Sequence, residues 1–108
     1  MTIDEAIESF RRRKSSIACN GKDGLLMVLE SFGFEHRAGD TKGHRVFSHD
    51  EFSAKTGSYV SLTIDCGHKP NRQMKIPYVL KTIRFLEMNK AILEEILKEK
   101  NGEKHDKS

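Results

Sequence analysis

The stretch Tyr59-Val60-Ser61-Leu62-Thr63-Ile64-Asp65-Cys66 alternates strictly, with Val60, Leu62, Ile64 and Cys66 on one side. Successive side chains of an extended chain point to opposite faces, so this pattern predicts a strand with one face buried and one wet. Such half-buried strands belong to antiparallel sheets. Two shorter strand signals lie upstream. Phe34 to Arg37 begins a strand, and Ala38-Gly39-Asp40-Thr41-Lys42-Gly43 reads as loop. His44 to Phe47 is the second strand, with Val46 as its inward candidate. Residues 48–57 carry Asp50, Glu51, Lys55 and Gly57 and read as a longer, polar hairpin connection.

Helical periods flank the three strands. Thr2 and Glu5 have capping-box spacing, and Ile3, Ala6, Ile7 and Phe10 form an apolar stripe that fades in Arg11-Arg12-Arg13-Lys14. Asn20-Gly21-Lys22-Asp23-Gly24 is a turn and then a cap. A helix follows with Leu25, Leu26, Val28, Leu29 and Phe32 on a broad buried face, stopped at Gly33. After the strands comes a basic loop, 67–73, and a helix with Pro77 in its first turn and Ile76, Val79, Leu80, Ile83 and Leu86 facing the core. Apolar spacing persists through Ile92, Leu93, Ile96 and Leu97, a stripe that fits helix packing or self-association. The polar residues 101–108 read as a disordered tail.

The expected organisation is a single domain over residues 1–100, with its core at about 20–90, an N-terminal helix at 2–15 and a helical extension at 90–100. The fold class is α+β: helices on one face of a three-stranded antiparallel sheet, in the order α-β-β-β-α, with an extra N-terminal helix. This is the topology of double-stranded-RNA-binding domains.

Composition narrows the function. Hydrophobic residues make up 36% of the 108 and charged residues 32%, which suits a folded, water-soluble chain. No apolar run approaches the ~20 residues of a membrane span. Acidic residues stand at Asp4-Glu5, where a secretory signal would carry base, so a cytoplasmic location is expected. In that compartment Cys19 and Cys66 are expected as two reduced, half-buried thiols, with a structural disulfide between them as the alternative. No His or Cys pair has supported ligand spacing, so neither a metal nor a cofactor is expected. Net charge is +3, and the positive residues gather at 11–14, around Lys42 to Arg45, and from Lys69 through Arg72 and Lys75 to Lys81. That clustering is compatible with nucleic acid.

From about Leu25 to Glu87 the sequence resembles the HicA family of toxin ribonucleases. Leu29-Glu30-Ser31-Phe32-Gly33-Phe34 is similar to the helix ending of that family, and Lys42-Gly43-His44-Arg45-Val46-Phe47 to its histidine signature and aromatic-ended strand. Ser61-Leu62-Thr63-Ile64 and Tyr78-Val79-Leu80-Lys81-Thr82-Ile83 resemble its third strand and the start of its last helix. The four elements come in the family's order. The chain departs where the family has serine before the histidine, here Gly43, and where its proline-arginine-histidine becomes Asp65-Cys66-Gly67, with His68 displaced by one position.

The resemblance implies a messenger-RNA interferase with His44 as the catalytic residue, held inactive by a HicB-like antitoxin protein. The chemistry of the residue types agrees with that role. Cleavage of RNA without metal needs a group that takes a proton from the ribose 2′-OH or gives one to the leaving oxygen, and imidazole does either near neutral pH. Positive charge beside the phosphate is expected from Lys42 and Arg45. The product would be a 2′,3′-cyclic phosphate. His68, Lys69, Arg72, Lys75 and Lys81 are expected RNA contacts, set at a helix N-terminus where lysines and the helix dipole act together. His36 and His49 read as hairpin surface. Phe47 and Phe52 are of a type that stacks on bases, although Phe47 also fits beneath a helix. Two other readings compete: a non-catalytic RNA-binding module on the same fold, and a protein-interaction domain.

Overall fold

Thr2 caps the first helix in the manner its spacing to Glu5 predicts. The Thr2 hydroxyl accepts from the Glu5 N–H at 3.1 Å, and Glu5 Oε1 accepts from the Thr2 N–H at 2.8 Å. Two donors that a helix start leaves without partners are thereby satisfied. The computed structural model describes residues 1–67 and 69–106, with side chains through residue 100. Its elements are α1 (Ile3–Arg12), α2 (Leu25–Ser31), β1 (Glu35–Ala38), β2 (His44–Ser48), α3 (Asp50–Thr56), β3 (Thr63–Asp65), α4 (Ile76–Met88) and α5 (Lys90–Asp106). The architecture is α+β, with five helices and a three-stranded antiparallel sheet in the order β1-β2-β3.

The register assigns each sheet residue to a face. His36 stands opposite Phe47, Arg45 opposite Ile64, and His44 opposite Asp65. Partners across an antiparallel ladder share a face, and neighbours along a strand do not. Phe47 and Ile64 therefore point into the core with Leu62, each at most 2% exposed. Val46, the inward candidate of the sequence reading, lies on the other face and is half-buried. The error is a shift of one residue, which in a strand inverts the face of every side chain.

α1 is part of the core rather than an appendage. Ile3, Ala6, Ile7 and Phe10 are buried against α4 and α5. The basic run at its end serves structure: Arg11 pairs with Glu87, and Arg13 reaches the Ser9 hydroxyl and the Asp23 carbonyl. Leu93 and Ile96 are each 1% exposed, so helix packing within the chain occupies that stripe. α5 continues to Asp106, into the stretch expected as a polar tail, since extending a formed helix costs far less than starting one.

Three expectations are overturned. The connection 48–57 contains a helix, α3, rather than a hairpin loop. His49 is its N-cap, accepting from the Phe52 N–H at 3.3 Å, and Gly57 ends it in the left-handed region. The acidic pair Asp50-Glu51 that suggested loop suits the positive start of a helix equally well. Second, β3 is a ladder strand only over Thr63–Asp65, with one flanking bond each at Leu62 and Cys66, because β2 ends at Ser48 and the chain turns away into α3. Third, Cys19 and Cys66 form a disulfide, with Cα atoms 5.8 Å apart. A contact that no spacing announces produces it: the segment 17–20 lies along 70–74. Met74 N–H donates to the Ile17 carbonyl at 2.8 Å, and Asn20 N–H to the Pro70 carbonyl at 3.0 Å. No described helix is long and apolar enough to cross a membrane.

Candidate nucleic-acid interface

His44 and Asp65 face each other across the β2–β3 ladder on the sheet's outer face. His44 Nε2 lies 3.7 Å from Asp65 Oδ2, and both side chains are partly open to solvent. The carboxylate is held from behind, since its Oδ1 accepts from the Gly67 N–H at 2.8 Å. At 3.7 Å the contact is longer than a hydrogen bond and is an electrostatic one, which places a fixed negative charge beside the imidazole. The short loop before β2 closes this end of the ladder. Gly43 has φ +89°, and a Cβ there would fall 2.6 Å from the Gly67 carbonyl oxygen, so only glycine fits.

Beside the pair lies a groove of about 560 Å³ lined by Lys42, Asp65, Lys69, Arg72 and Lys75, among others. Lys75 is the N-cap of α4 and makes no side-chain capping bond. The groove thus joins four cations to the positive end of a thirteen-residue helix. Cys66 forms part of its wall, so the disulfide ties the groove to the segment 17–20.

The sequence-derived site residues separate into groups. Lys42, Lys69, Arg72 and Lys75 meet in the groove, with His44 at its edge through Asp65. Arg45 does not join them. As the strand neighbour of His44 it points to the opposite face, where its guanidinium donates to His36 Nδ1 at 3.1 Å from Nε. His36 Nε2 in turn lies 2.8 Å from Glu30 Oε1. Arginine only donates, so His36 Nδ1 accepts and Nε2–H donates to the Glu30 carboxylate. Lys81 is also elsewhere: its Nζ donates to the Thr63 carbonyl at 3.0 Å, and it lines a second groove between α4 and the chain before β3. His68 lies outside the described residues.

Two further residues correct the sequence reading. His49 is not hairpin surface but 3% exposed; its Nε2–H donates to the Phe32 carbonyl at 2.9 Å while Nδ1 caps α3. Phe52, proposed as a base-stacking surface, is 5% exposed within the core. Asp65 is the site residue that the sequence reading passed over. Its signal was the strict alternation of the strand, which puts it on the wet face that His44 shares. Among the described residues, no group of three or more His, Cys, Asp or Glu side chains is placed to hold a metal ion. Comparison with protein-family models, with curated proteins and with solved structures gives no match.

Proposed function

We propose that this chain acts on RNA through a frame like that of double-stranded-RNA-binding domains, as a HicA-like endoribonuclease that cleaves messenger RNA without metal. The observation that carries the reading is the His44–Asp65 pair standing at the rim of a groove with four cations. The helix-strand-strand-strand-helix order of α2, β1, β2, β3 and α4 supports the frame, with α3 as an insertion between the last two strands.

In this mechanism the groove takes a phosphate of the RNA backbone, and His44 takes the proton of the adjacent 2′-OH. The O2′–P bond forms as the P–O5′ bond breaks, the leaving 5′-oxygen receives a proton from solvent water, and His44 returns its proton to solvent. The products are a 2′,3′-cyclic phosphate and a 5′-hydroxyl. Asp65 sets a negative charge beside the imidazole that stabilises it once protonated, and Lys42 with the groove lysines offsets the charge that develops on phosphorus oxygens. A HicB-like antitoxin protein would neutralise the enzyme by covering the His44 face. Messenger RNA as substrate places the action in the cytoplasm, where thiol-keeping systems open disulfides. The reading therefore requires that the dithiol form still fold.

A second reading is RNA binding without cleavage. The Gly43 geometry favours it, because the position where the family pattern carries a serine here admits no side chain. Cleavage of a labelled messenger RNA in the presence of a chelator separates the two. The first reading predicts cyclic-phosphate ends from the wild type and far slower formation of them from His44→Ala. The second predicts no cleavage by either, with binding that weakens as salt rises.

A further inference from the structure

The strongest strand signal of the sequence spans eight residues, yet only Thr63–Asp65 are paired as β3. Residues 59–62 keep the alternation in their burial: Val60 is half-buried, Leu62 buried, Tyr59 and Ser61 exposed. Apart from the Leu62 carbonyl, their backbone nevertheless pairs with no neighbouring strand among the described residues. The N–H and C=O of successive strand residues point to alternate sides. Leu62 C=O accepts from the Phe47 N–H at 3.1 Å, and Cys66 N–H donates to the Gly43 carbonyl at 2.8 Å. Residues 62, 64 and 66 therefore turn toward β2, and 61, 63 and 65 turn outward along a free edge. Among the described residues, one bond meets that edge: Lys81 on the Thr63 carbonyl.

A groove of about 470 Å³ runs beside the same edge, between residues 58–61 and α4. Phe52, Phe85, Met88 and Tyr59 give it an apolar lining, and its two charged residues, Lys81 and Arg84, are both cationic. Tyr59 is 92% exposed and Met88 79%, an unusual solvent cost for residues of that size. Arg84 has no ion-pair or hydrogen-bond partner among the described residues.

From the open edge, the unpaired strand pattern and the charge of the groove, we infer that this edge is a docking site for an extended acidic segment of a partner protein. The segment adds a strand outside β3 by hydrogen bonding to Ser61 and Asp65. Its alternate apolar side chains enter the groove, and its carboxylates meet Lys81 and Arg84. Main-chain bonds supply affinity in such complexes, and pockets for alternate side chains supply specificity. The site shares only the Asp65 backbone with the His44 face, uses none of the His44-face side chains, and does not rest on the ribonuclease reading.

Selection of a displayed random-decapeptide library on the full chain tests the inference. Enriched peptides should be net acidic, with apolar residues at alternate positions. A synthetic copy of one should lose at least tenfold in affinity against Arg84→Glu and against Ser61→Pro, which removes an outward N–H. Methylating alternate amides of the peptide should cost as much, and His44→Ala should cost nothing. Should a variant misfold, the wild type decides: adding the peptide must slow hydrogen exchange at the Ser61 and Asp65 amides. Enrichment of basic or uncharged peptides, or none, would overturn the inference. So would exchange protection produced by single-stranded RNA in place of peptide, or a dimer of this chain that Ser61→Pro dissolves.

Discussion

Gly43 is where the residue scale speaks most clearly. Its φ of +89° already disfavours any L side chain, and a Cβ would also lie 3.0 Å from Asp65 Oδ1. A Gly43→Ser substitution, which brings in the serine of the pattern the sequence resembles, should therefore damage the site rather than improve it. The expected cost is roughly 1–3 kcal/mol of stability, the range for a residue held in an unfavourable backbone region. Urea unfolding measures it, and an unchanged midpoint would mean that the β2 entrance relaxes freely. At the same scale, part of the site was legible and part was not. His44 and the lysines of 69–75 announce themselves by charge and motif, because polar residues in loops have few reasons to cluster. Arg45 misled because sequence adjacency suggests proximity, whereas a strand sends neighbours to opposite faces. His49 gave no signal as a buried cap, since histidine is an uncommon capping residue and Phe32, the partner that fixes its other nitrogen, is brought to it only by the fold.

At the scale of elements, α3 shows what a polar composition conceals. Asp50 and Glu51 in the first turn, Lys55 in the last and Gly57 at the end fit helix rules as well as loop rules. What decides is tertiary: Phe52 enters the core, and α3 docks on α5. Lys55 bridges the two helices, 2.9 Å from Glu99 and 3.4 Å from Glu95. The Glu99 contact holds its ammonium above the usual lysine range; burial opposes it less strongly, and the contact with Glu95 adds to the rise. A raised pKa in the folded state contributes stability that is present below the unfolded value and lost as pH climbs through the folded one. Between neutral pH and the region above 10.5, the wild type should lose slightly more thermal stability than Lys55→Met. Because the pair is exposed the difference is small, and high salt should erase it. Melting temperatures of both proteins across that pH range, at low and high salt, give the comparison.

At the scale of the whole molecule, the disulfide joins residues 47 apart and pins the groove loop to the segment after α1. Closing a loop of that length is worth roughly 2–4 kcal/mol by its effect on the unfolded chain. Reduction should lower the urea midpoint accordingly while the secondary structure persists, because the core of Phe10, Leu29, Phe47 and Leu86 does not depend on it. Loss of all helical signal on reduction would show that the chain folds only when oxidised, and would count against action in a reducing compartment. The central claim is that His44, beside Asp65 and the basic groove, cleaves RNA. The most direct test is to incubate purified wild type and His44→Ala with an end-labelled messenger RNA and chelator, and to identify the new 3′ ends. The account predicts 2′,3′-cyclic phosphates with the wild type and a rate lower by about 10²–10⁴ with His44→Ala, at equal RNA binding. Cleavage at the same rate by both proteins, or by neither, would contradict it.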